Sequence, residues 1–84
     1  MQQPKEGDIV RGFGKIAVTW TSNQLGVTLI HAKGLFHLPY PADGNYIGYE
    51  IVLEDQLTKE ESATIAEAKT SLEQVKKQRT EIGK

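Results

Sequence analysis

Two histidines, His31 and His37, stand six positions apart, and Asp43 follows at the same interval. Imidazole and carboxylate groups brought together can ligate a transition metal or pass a proton. The His-x-x-x-His spacing that sets two ligands on one helical face is absent, so these residues are expected to be exposed or hydrogen-bonded histidines rather than a metal site. Ser22, Ser62 and Ser71 lie outside any pattern that would activate a nucleophile. Glu50, Glu54 and Asp55 read as a solvated acidic face that limits pairing at a sheet edge. The expectation is a non-enzymatic chain without catalytic residues, metal or cofactor.

The run Arg11-Gly12-Phe13-Gly14-Lys15 offers two cations and flexible backbone amides to an anion. It lacks the Walker spacing and opens no helix, so a bend or bulge between strands is the expected structure. Composition bounds the rest. The 84 residues carry a net charge of -1, 38% hydrophobic and 25% charged residues, which fits one small folded domain rather than a polyelectrolyte. The chain has no cysteine, so neither disulfides nor thiolates reinforce it. No apolar run approaches the roughly 20 residues of a membrane span. Met1 to Asp8 does not read as a signal peptide, and a soluble, cytoplasmic chain is expected.

The elements that would position these groups divide the sequence in two. All six aromatics and seven of eight glycines precede residue 50, whereas the last third has a helix-forming vocabulary. Asp8 to Arg11 predicts a short strand. Ile16, Val18 and Trp20 alternate with Ala17 and Thr19, and after a turn at Thr21 to Gln24 the alternation resumes at Leu25, Val27 and Leu29. Tyr46 to Leu53 predicts a further strand with Ile47, Tyr49, Ile51 and Leu53 on its apolar face. Between them, His31 to Asn45 reads as a long loop that closes the sheet or presents Phe36 and Tyr40 to a partner. The predicted architecture is α+β: one domain over 1–84, with a curved antiparallel sheet of three or four strands in 8–55, apolar on one side and either open or closed into a small barrel. A long amphipathic helix follows over 58–82.

That helix has clear punctuation. Thr58 and Glu61 form a capping-box pattern, and Gly83 is a natural terminator. Ile65, Ala68, Leu72, Val75 and Ile82 make a narrow stripe at heptad spacing, with Arg79 in the remaining place. So narrow a stripe needs a partner, either the chain's own sheet or another helix in a coiled-coil assembly. Ile65 to Leu72 is expected to pack nearer the domain and Val75 to Ile82 to reach outward.

Two stretches resemble known families. Gly14 to Thr19, Leu25 to Leu35 and Tyr46 to Leu53 together resemble the first strands of a C2 domain. Asp43 is the sole acid near that family's calcium-loop positions, so calcium-dependent membrane binding is not implied. Gly7-Asp8-Ile9-Val10-Arg11-Gly12 and Gly34-Leu35-Phe36-His37-Leu38 are similar to an opening strand and a later surface segment of small S1-type RNA-binding barrels. That resemblance implies Phe13, Phe36 and His37 as base-stacking groups and Arg11, Lys15 and Lys33 as phosphate contacts. The function expected first is protein interaction or homo-oligomeric assembly as a subunit of a larger complex, without membrane binding, through Phe36, Tyr40, Leu72, Val75 and Ile82. Small-barrel RNA binding is the alternative.

Overall fold

β1 (Ile9–Gly12) and β2 (Lys15–Asn23) form a hairpin whose two connecting residues, Phe13 and Gly14, both take positive φ, 50° and 74°. This is the backbone twist a two-residue hairpin demands, and it places a phenylalanine where glycine or asparagine is usual. β2 turns through Gln24 and Leu25 into β3 (Gly26–His31), which pairs with β4 (Gly34–Pro39). β5 (Tyr49–Val52) returns to the far side of β1, giving the antiparallel order β4-β3-β2-β1-β5 in an open sheet. The computed structural model describes residues 2–32 and 34–82, with side chains omitted at 79–82.

Among the described residues five strands stand where three or four were expected. The additional one, β4, occupies part of the expected loop, and its Leu38 is buried while Leu35 is exposed. The turn after β2 is shorter than predicted, so Leu25 lies at its tip in solvent instead of on the core face. The sheet is also apolar on both sides. Ile9, Ile16, Val18, Ile30 and Val52 face the helix, whereas Val10, Ala17, Val27, Leu29 and Leu38 face away and pack with Tyr46. Which face each residue takes follows from pairing: Ile9 opposes both Val18 and Val52, and neighbours across a ladder point the same way. That register turns Val52 inward and reverses the expected apolar face of the last strand.

The β2–β3 register shifts between Thr19 and Thr21, leaving Trp20 as the extra residue of a bulge. A bulge bends and twists its strand, and Trp20 packs against the core under the helix. Residues preceding β1 follow β2 past this point: the Gly7 amide donates to the Thr19 carbonyl and the Thr19 amide to the Asp8 carbonyl, each at 2.8 Å.

α1 (Lys59–Ile82) begins with the expected cap. The Glu61 amide donates to Thr58 Oγ1 at 3.1 Å, and the Thr58 amide donates back to Glu61 Oε1 at 3.0 Å. Ile65, Ala68 and Leu72 are buried on the sheet, with half-buried Leu57 beside them. Burial of the two large side chains contributes roughly 1.5–3 kcal/mol each, far more than an exposed ion pair such as Lys76 to Glu6 at 2.7 Å. The helix therefore docks chiefly through Ile65 to Leu72.

Candidate functional site

Arg11 leaves β1 on the helix side. Its Nε and Nη2 donate to the two carboxylate oxygens of Glu61, both at 2.8 Å, in a bidentate pair. Nη2 also donates to the Gln56 carbonyl at 3.0 Å, and Nη1 to Glu50 at 3.2 Å. One guanidinium thus joins β1, β5, the turn after β5 and the helix start. The Arg11 bonds, together with the Thr58 amide, hold the Glu61 carboxyl below the usual carboxylate range, and Glu61 raises the guanidinium in turn. Arg11 thus fastens several segments of the domain to one another.

The other nucleic-acid candidates separate in a similar way. Phe13 sits at the β1–β2 tip, 74% exposed, with its ring edge-on to Tyr49 at 5.0 Å between centroids. Lys15 Nζ lies 5.5 Å from the centre of the half-buried Phe36 ring, over a shallow cleft of about 230 Å³ that His31 and Leu35 also line. Gly12 pairs with both Lys15 and Tyr49, so Phe13, Lys15, Phe36 and Tyr49 gather at one end of the face away from the helix. His37 belongs to the opposite face, where Nδ1 lies 3.2 Å from Thr28 Oγ1 and Nε2 lies 3.2 Å from the Leu25 carbonyl. Lys33 lies outside the described residues. Among those residues, no group of three or more histidines, cysteines or carboxylates is arranged to hold a metal.

Glycine makes the aromatic end geometrically feasible. A Cβ on Gly12 would come within 2.1 Å of the Tyr49 ring, and one on Gly48 within 2.7 Å of the Phe13 ring. These two rings therefore lie directly on backbone. The Phe13 conformation costs about 1–2 kcal/mol for an L-residue, and the contact with Tyr49 and Gly48 helps offset it.

The chain from β4 to β5 forms a second surface. Tyr46 is buried among the strands with Tyr40 edge-on to it at 6.4 Å, and burial foremost, then Tyr40, raises the Tyr46 phenol above its usual range. A cleft of about 290 Å³ opens there, lined by Leu38, Pro39, Pro41, Tyr46, Ile47 and Tyr49. Ile47 in that lining is 80% exposed, and further along the chain Ile51 is 43% and Leu53 64% exposed. Of the residues expected at a protein interface, Tyr40 lies at this exposed rim and Phe36 lies under Lys15. Leu72, at 7% exposure, belongs to the domain's own core; Val75 is half-buried and the Ile82 side chain lies outside the described residues. Sequence patterning did not single out Ile47, Ile51 and Leu53 as surface groups, because their alternation looked like a buried face.

Comparison of the chain with protein-family models, curated proteins and solved structures finds no match. The C2 and S1 resemblances therefore gain no support from those comparisons. No helix among the described residues is long and apolar enough to cross a membrane.

Proposed function

We infer that the chain is a non-enzymatic protein-interaction module, an assembly subunit that meets its partner through the surface running from Tyr40 to Leu53. The observation that carries this reading is the exposure of Ile47 in the lining of the cleft that Tyr46 also lines, and of Ile51 and Leu53 further along the same stretch of chain. Exposed apolar side chains cost solubility, and an interface compensates for that cost by covering them. The helix supports this reading indirectly: its best apolar groups are occupied within the domain, and Glu73, Gln74, Lys76, Lys77 and Gln78 beyond Leu72 are all exposed polar groups.

A photo-crosslinking amino acid at position 47 or 53, compared with one at position 74, tests the assignment in the producing cell. Protease-sensitive, nuclease-resistant adducts are expected from the first two positions and not from the third. Adducts arising equally at all three, or at none, would reject the surface assignment. RNA binding is the second reading, favoured by Phe13, Lys15, Phe36 and Tyr49 at one end of the sheet. It requires nuclease-sensitive adducts at position 13, and salt-sensitive oligonucleotide binding that weakens on neutralising Lys15.

A further inference from the structure

The sheet has two edges, and they differ in chemistry. β4 ends at Pro39, which has no amide hydrogen to offer, and carries His37 tied to Thr28 and Leu25. Among the described residues β5 pairs with β1 alone, and it contains neither proline nor lysine. Its sequence, Tyr-Glu-Ile-Val, presents a partly exposed Ile51, and exposed Ile47 and Leu53 lie on either side of it. Natural sheet edges are ordinarily blunted by charge, proline or cover; β5 has no proline, and its one charge, Glu50, is tied to Arg11 of β1, so this edge is suited to accept another strand.

Charge selects the strand. Between Lys33 and Lys59 the chain has no lysine or arginine, but it has Asp43, Glu50, Glu54 and Asp55. Antiparallel pairing of β5 with β5 of a second copy about Glu50 would set the two Glu50 side chains opposite one another, and like charges across a ladder are destabilising. Arg11 and Lys69 each hold one of these carboxylates, Glu50 and Glu54 respectively, leaving Asp43 and Asp55 exposed as well. The complementary strand is basic.

We propose that β5 is a strand-addition site for an extended partner segment in which apolar residues alternate with lysine or arginine. This proposal rests on the protein-interaction reading and specifies its partner. Main-chain hydrogen bonds to the free side of Tyr49–Val52 supply the pairing. Ile47, Ile51 and Leu53 receive the apolar side chains, and the surrounding carboxylates orient the basic ones.

The test uses isotope-labelled full-length protein titrated with a synthetic peptide alternating valine and lysine, and with its valine–glutamate counterpart. The expected result is slowed amide exchange at Tyr49 to Val52 with the basic peptide alone. Ile47→Lys, lying outside the strand, is expected to weaken binding roughly tenfold while leaving the thermal midpoint in place. An Asp43→Asn, Asp55→Asn double variant is expected to reduce both affinity and salt dependence. Equal binding of the acidic peptide, or perturbation confined to the helix or the Phe13 end, would overturn the proposal. Slowed β5 exchange on concentrating the protein alone would identify a second copy as the occupant and also overturn it. If neither peptide binds while position 47 still crosslinks to protein, strand addition fails and the interaction module stands; loss of both results removes both.

Discussion

Gly12 is more than a spacer between cationic positions. The Tyr49 ring occupies the place of its missing side chain, and the next residue, Phe13, adopts a left-handed backbone with its own ring over Gly48. Gly12→Ala is expected to displace Tyr49 and lower stability by about 1–3 kcal/mol, as overpacking does. Urea denaturation checks the loss, and near-ultraviolet circular dichroism checks the tyrosine displacement. Retained stability with an unchanged aromatic signal would show that the ring does not bear on this backbone. The glycine bend was legible in the sequence, but the reason for glycine was not, because Tyr49 reaches it only through the β1–β5 pairing. Arg11 poses the same difficulty: two cations flanking glycines suggest an anion site, while the actual carboxylate partner is Glu61, fifty positions away.

At the scale of elements, local signals read well and long-range register read poorly. The helix start was legible because Thr58 and Glu61 cap one another within four residues. β4 was hidden by glycine and proline at its two ends, which serve equally well in loops and at the ends of edge strands. The inward face of β5 was undecidable locally because Ile51 and Val52 are both apolar, and only the pairing of Val52 with Ile9 settles it. Among the Tyr40–Leu53 surface groups, only Tyr40 was legible as a contact residue. The joint between elements makes a pH prediction. Glu61 has a depressed folded-state pKa, so its contribution is present above the ordinary carboxylate range and disappears as pH falls through the lowered folded value. The wild-type urea midpoint is expected to fall more steeply than that of Glu61→Gln on acidification from about pH 7 to about pH 3. Parallel curves would remove Glu61 from the acid response.

At the scale of the molecule, the α+β architecture was legible from the switch between period-two and helical patterning. The double-sided sheet was less so, since a single apolar face would have left Val10, Ala17 and Leu29 without a role. A buried Leu72 and the acidic surroundings of β5 together disfavour self-association. Light scattering during size-exclusion chromatography is therefore expected to give a monomeric mass from low micromolar concentration upward. A stable dimer would instead assign the exposed apolar surface to a second copy.

The sheet order has a consequence for the route by which the chain reaches this structure. β1 through β4 are joined in series by short connections, so each pairing closes a small loop, whereas β5 must return past the whole meander to meet β1. Loop-closure entropy makes that last pairing the costliest in the sheet. Arg11 sits on β1 at this closure and holds Glu50 of β5 and Glu61 of the helix with the same guanidinium. Fastening strand and helix through one side chain couples their opening, so separation of β5 from β1 also loosens the start of the helix.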